Sequence, residues 1–212
     1  TDSSTPVLVS TLSNIEAIAA EESLGVALDA SGRVWTWGQN EYGQLGDGTT
    51  TDSSVPLMVP SLATIEAVSA GRAHVAVLQS DGTVWSWGLN GSGQLGNGTS
   101  VDSSAPVEAL GLSGVVAIAT GDDWTMALDE DGVVWTWGYN GFGHLGDGTT
   151  IARNYPDVVA GLPSASQIVG GYGFGMVIDS HGSVWTWGSN QYGQLGVGST
   201  TSSFSPVEVA GW

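Results

Sequence analysis

Val34-Trp35-Thr36-Trp37-Gly38-Gln39-Asn40-Glu41-Tyr42-Gly43-Gln44-Leu45-Gly46-Asp47-Gly48-Thr49 decides the fold, because closely similar text returns at 84–99, 134–149 and 184–199. The two tryptophans and the glycine behind them recur as Trp85, Trp87 and Gly88, as Trp135, Trp137 and Gly138, and as Trp185, Trp187 and Gly188. Proline keeps the same phase at Pro6, Pro56, Pro106, Pro156 and Pro206. A period of about fifty residues belongs to propellers and solenoids, in which each unit leaves an apolar face that only its neighbour can cover. The chain therefore reads as one repeat domain over 1–212. Its repeat phases are 1–50, 51–100, 101–150 and 151–200, and 201–212 starts a fifth.

Four strand-like runs are legible in the unit. Val34–Gly38 crowds β-branched and aromatic residues together, and Leu24–Leu28 precedes it across Asp29-Ala30-Ser31-Gly32. Glycine closes that link in every copy, where a hairpin turn needs positive φ. Pro6–Ser10 and Ile15–Ala20 are the other two runs. Ile15–Leu28 alone could pass for an amphipathic helix, but the equivalent segments contain Gly71, Gly121, Gly170, Gly171 and Gly173, which a shared helix would not accommodate. His74–Leu78, Trp124–Leu128 and Phe174–Ile178 are nearly continuous in apolar character, so both faces of that strand are expected to be covered. Four-stranded sheets stacked on copies of themselves are propeller blades. The indoles of Trp35, Trp37, Trp85, Trp87, Trp135, Trp137, Trp185 and Trp187 are the expected structural core. Each contributes up to roughly 4–6 kcal/mol when fully buried.

The pattern Val-Trp-Thr-Trp-Gly-x-Asn-x-x-Gly-Gln-Leu-Gly-Asp-Gly-Thr, preceded by Ala-Leu-Asp-x-x-Gly, resembles the regulator of chromosome condensation repeat family over nearly the whole chain. The resemblance implies an all-β fold, a β-propeller whose best-known members have seven blades. Four units cannot fill such a ring. The expected arrangements are an excerpt of a longer propeller, a ring completed by a second chain, or an open array, with self-association through unpaired blade edges.

The formal charge of −18, with no lysine and only Arg33, Arg72 and Arg153 as cations, opposes nucleic acid and anionic membrane as partners. There is no cysteine, which excludes disulfides and thiolate metal sites, and no apolar run reaches the roughly eighteen to twenty residues that span a bilayer. Thr1 falls directly in repeat phase, read as a start without a leader, and the Gly, Ser, Thr and Asp-rich composition suggests an extracellular or cell-surface location in a bacterium. The glycine-rich 40–49 segment lacks the lysine of a phosphate loop and reads as a turn capped by Asn40. Asp47, Asp52 and Asp147 read as turn carboxylates rather than a calcium site, since Asn97 and Val197 replace Asp47 in other copies. No metal or cofactor is expected. His74 shares its slot with Leu24, Trp124 and Phe174 and is therefore a packing residue. Neither His144 nor His181 has a partner legible in the sequence, and no nucleophile motif is present, so no enzyme is expected.

What the scaffold does not dictate is free to serve recognition. The copies differ at Glu21-Glu22-Ser23, Arg72-Ala73, Asp122-Asp123-Trp124 and Tyr172-Gly173-Phe174, and again at Glu41-Tyr42, Gly91-Ser92, Gly141-Phe142 and Gln191-Tyr192. Loops in equivalent phase emerge on one rim of a propeller. Tyr42, Asp122, Asp123, Trp124, Phe142, Tyr172, Phe174 and Tyr192 are the expected contacts for a protein partner, aromatic anchors bordered by carboxylates. The leading expectation is a non-enzymatic scaffold with one acidic, aromatic-bearing face. Guanine-nucleotide exchange on a small GTPase, which the family resemblance implies, and a self-assembling surface protein are the alternatives.

Overall fold

The computed structural model describes residues 3–210, so Thr1, Asp2, Gly211 and Trp212 lie outside the described residues. Sixteen strands form four antiparallel four-stranded sheets. The first holds β1 (Ile15–Glu21), β2 (Leu24–Asp29), β3 (Val34–Gly38) and β4 (Ser53–Met58), in that order. The second holds β5 (Ile65–Ala70), β6 (His74–Gln79), β7 (Val84–Gly88) and β8 (Ser103–Glu108). The third holds β9 (Val115–Thr120), β10 (Trp124–Asp129), β11 (Val134–Gly138) and β12 (Arg153–Val158). The fourth holds β13 (Ala165–Gly170), β14 (Phe174–Asp179), β15 (Val184–Gly188) and β16 (Ser203–Glu208). First strands of successive sheets touch, β1 with β5, β5 with β9 and β9 with β13, which puts them nearest the propeller axis.

The blade frame is offset from the sequence period. The proline-bearing run of each unit completes the sheet of the unit before it, as the pairing of β4 with β3 shows. Residues 203–208 accordingly finish the fourth blade rather than start a fifth, and Pro6–Ser10, with no earlier sheet to join, is not a strand. Proline fits here because β4, β8, β12 and β16 are edge strands, where a missing N–H costs no ladder bond.

The β2–β3 hairpin is organised by one buried carboxylate. Asp29 accepts backbone N–H bonds from Ser31 and Arg33 and side-chain bonds from Trp35 Nε1 and Arg33 Nε at 2.8–3.2 Å. Burial opposes its ionisation, but those donors prevail and hold it at about 2. Asp129 and Asp179 take the same bonds from Trp135 and Trp185, and Gly32 closes the turn at φ +72°. The 39–52 excursion is organised by Asn40, whose Nδ2 donates to the carbonyls of Thr49 and Thr51 while its Oδ1 accepts from Leu45 N–H. Asn90, Asn140 and Asn190 repeat this in full burial, so the expected amide cap is present in every unit.

The two tryptophans of each motif do different work. Trp87, Trp137 and Trp187 are 0% exposed, and each indole N–H crosses to the preceding blade, to the carbonyls of Gln44, Gln94 and His144 at 2.7–2.9 Å. Trp35, Trp85, Trp135 and Trp185 are half-buried, and their N–H groups stay within their own hairpins. Only the second indole of these motifs hydrogen-bonds across the joint, while Trp85, Trp135 and Trp185 pack, half-buried, against the same inter-blade apolar clusters. β6 and β10 are covered on both faces as expected, whereas β14 alternates between buried and half-buried residues because no blade packs beyond it. The ring is open.

Candidate functional site

The turns between the first and second strands of each blade converge on one rim. In blade one Glu21 pairs with Leu24, leaving a tight Glu22-Ser23 turn with Glu22 in the left-handed region at φ +37°. Glu21 thus lengthens β1 where the other copies carry glycine. Around this turn lies a groove of about 560 Å³. Glu21 and Glu22 come from blade one, Arg72 from blade two, Asp122 and Asp123 from blade three and Tyr172 from blade four. Tyr139, Phe142 and His144, from the loop after β11, complete it.

Arg72 is fixed at the floor. Its Nη2 donates to Asp123 at 2.9 Å, its Nε lies 3.5 Å from Asp122, and its backbone N–H donates to the Asp122 carbonyl. The Asp123 hydrogen bond raises the guanidinium above its ordinary value. Burial and the neighbouring charge of Asp123 push Asp122 up, with Arg72 opposing. Arg33 is held by Asp29 and Arg153 by Asp147 and Asp157, so all three arginines are paired to carboxylates. Glu21 and Glu22 are exposed and in no ion pair among the described residues.

His144 replaces the glutamine of the other copies and does its work. Gln44, Gln94 and Gln194 accept the N–H of Tyr42, Ser92 and Tyr192 through Oε1, and His144 accepts that of Phe142 through Nδ1 at 3.3 Å. The accepting Nδ1 places the ring proton on Nε2. Burial lowers the imidazole to about 4, so it is neutral at pH 7. Tyr139 and Phe142 pack around it, with ring centroids 5.1 and 5.6 Å from the imidazole and a T-shaped contact between themselves.

The structure thus brings together Asp122, Asp123, Phe142 and Tyr172, the last two 47% and 75% exposed. It corrects Trp124, which is 0% exposed beneath the rim. As the first residue of β10 it faces blade four and donates its indole N–H to the Gly171 carbonyl, so it packs blades rather than meeting a partner. Phe174 is half-buried on the open side of β14, away from the groove lining. Tyr42 and the 85%-exposed Tyr192 occupy the phase of Phe142 in their own blades but do not line the groove. Tyr139 went unread in the sequence. The available signal was its variability, since Gln39, Leu89 and Ser189 share its slot.

His74 is the packing residue expected. It is fully buried, and Thr125 Oγ1 spends its only proton on the Gln94 carbonyl at 2.9 Å, so His74 Nε2 donates to Thr125 Oγ1 at 3.0 Å. Nδ1 is left without a partner. Burial, with Arg72 nearby, lowers this imidazole to about 3.

Among family models, the RCC1-like domain matches residues 1–212. No curated protein sequence matches significantly. Solved structures with the same architecture include human WBSCR16, at 23% identity and TM-score 0.84 over 93% of this chain and 53% of that one. Prp20p of Saccharomyces cerevisiae, reported with its binding properties to Gsp1p and histones, matches at 22% identity and TM-score 0.81 over 93% of this chain and 50% of its own. Yeast RCC1 bound to Kap60 matches at 21% and 0.83 over 93% and 49%. This chain therefore spans about half the length of those structures.

Proposed function

The chain belongs to the RCC1-like domain family, and on that premise we propose that it is a non-enzymatic scaffold that grips a protein partner through the rim groove, the partner presenting a lysine- or arginine-bearing segment. One observation carries the reading. Every arginine of the chain is already paired to aspartates, while Glu21 and Glu22 form no ion pair among the described residues and lie beside exposed Tyr172 and Phe142. A cation entering there meets uncompensated carboxylates and the faces of aromatic rings, a combination worth about 0.5–2 kcal/mol per cation–π contact beyond the ion pair. The charge of −18 steers such a segment inward and repels acidic competitors. Neutral His144 adds no opposing charge at pH 7.

The test is selection of peptides from a random display library on the immobilised chain. Binders should be enriched in Lys and Arg, lose affinity as salt rises, and lose about tenfold or more on a Glu21→Gln/Glu22→Gln/Tyr172→Ala variant. All three positions are exposed, so the fold is left alone. Binders without basic bias, or equal binding to the variant, would remove the groove from consideration.

A further inference from the structure

The rim groove has one corner that the repeat does not explain. Blade three, flanked by blades two and four, builds it from Tyr139, Phe142 and His144, and at each of these positions the other copies carry a different residue. Tyr139 and Phe142 are 39% and 47% exposed, with their ring planes at 80° to one another. Tyr139 folds over Gly141, where a methyl group would strike the phenol oxygen. His144 lies under these rings, 1% exposed, with the Trp124 ring centroid 6.1 Å away.

The donor at the foot of this corner is unspent. Nδ1 of His144 accepts the Phe142 N–H, so the ring proton sits on Nε2, and that N–H meets no acceptor among the described residues. The preceding joint shows what would take it. Gln94, the counterpart of His144 in blade two, donates from its side-chain amide to Asp123 of the next blade. In blade four the slot of Asp123 is held by Gly173, which has no side chain to offer, although a Cβ there would lie 3.6 Å from His144 Nε2. Nε2 is thus left beside the Tyr172-Gly173 turn that walls the groove. A nearly buried N–H without a partner is costly, so a ligand that brings an acceptor to it gains the bond and removes the cost.

The chemistry of the corner selects that ligand. A cationic side chain carries no acceptor and meets the positive end of the N–H dipole, so the corner suits a carbonyl and the cation belongs at the carboxylates. A residue laid on the rings should bring an apolar body and no N–H, because an amide N–H pressed against them would be stranded. Proline has both properties. A polyproline helix makes three residues per turn with no internal hydrogen bonds, so its carbonyls are free. It is also ordered before it binds, which favours it in a groove of about 560 Å³ that has little surface to offset the ordering of a flexible chain. We propose that the segment bound by the groove is proline-rich as well as basic. A proline packs on Tyr139 and Phe142, an adjacent carbonyl accepts from His144 Nε2, and the Lys or Arg reaches Glu21 and Glu22 beside Tyr172. This rests on the reading of the groove as the seat of a basic segment, and adds the backbone form of that segment and the side chain that fixes its register.

Two synthetic peptides of about ten residues test it, one with two arginines and two prolines three positions apart, the other with both prolines replaced by alanine. Each is titrated by fluorescence anisotropy at low salt. The proline peptide should bind about tenfold or more tightly. In Tyr139→Ala, at an exposed position, that preference should fall below about twofold, whereas Glu21→Gln/Glu22→Gln should weaken both peptides alike. Gly173→Asp gives His144 the internal acceptor that Asp123 gives Gln94, and should reduce the preference as Tyr139→Ala does, with circular dichroism unchanged. In the nitrogen-15-labelled chain the His144 Nε2–H resonance should shift and become protected from exchange with the proline peptide only. Equal affinity for the two peptides overturns the polyproline inference and leaves the basic-segment reading standing; binding of neither overturns both. A preference that survives Tyr139→Ala and Gly173→Asp, or an Nε2–H signal that the proline peptide does not move, would overturn the assignment of this corner.

Discussion

Replacing His74 by leucine, the residue of the same slot in blade one, should make the protein more tolerant of acid. In the folded chain the imidazole is sealed between blades, with Nε2 committed as a donor to Thr125 and Nδ1 facing no donor, and its affinity for a second proton falls to about 3. In the unfolded chain the same group titrates near 6.5. The unfolded state therefore binds more protons between those values, and stability falls as the pH is lowered through that window. From pH 7.5 to pH 5 the linkage amounts to about 2 kcal/mol. The leucine variant lacks this loss, while His144, lowered to about 4, contributes equally to both proteins and cancels in the difference. Urea denaturation at a series of pH values is the assay. At pH 7.5 the two should agree within about 1 kcal/mol, because leucine removes the orphaned Nδ1 and takes from Thr125 only an incoming bond. At pH 5 the variant should lead by about 2 kcal/mol more than it does at pH 7.5. A difference flat between those pH values would refute a buried neutral imidazole at position 74.

Other expectations follow from the joints and turns. Trp137→Ala should cost about 3–5 kcal/mol by denaturant titration, and Trp37→Ala roughly half as much, since only the first indole is sealed by a neighbour. Asn140→Ala strands the carbonyls of Thr149 and Ile151 and the N–H of Leu145, and should cost roughly 2–4 kcal/mol by the same measurement. Asp29, held at about 2, supplies stability that is fully present above its unfolded value near 4 and is lost as pH falls toward 2. Asp29→Asn should therefore flatten the acid limb of the thermal melting curve in that window.

Much was legible in the chain because a repeat states its constraints several times. Glycine at 32, 82, 132 and 182 fixed the hairpin, and glycines 71, 121 and 171 ruled out a helix that Ile15–Leu28 alone would have allowed. Variation among copies located the rim, since a side chain the scaffold does not require changes from blade to blade. Burial at the rim was not legible. Trp124 and Phe142 look alike as aromatic departures from the repeat, yet one points along the sheet stack and is sealed by Gly171, and the other stands on a loop at the groove.

By itself the sequence determined the strand set, the turn chemistry and the stacking of like units, because these depend on spacing and residue type within about fifty residues. Which strand completes which blade, which indole of each pair crosses to a neighbour, and which rings and carboxylates share a groove were decided only by tertiary structure. The indole and groove contacts join residues some forty to fifty positions apart or more, set by how one blade leans on the next, and the strand that completes each blade pairs across the boundary between repeat phases, as Trp35 does with Met58.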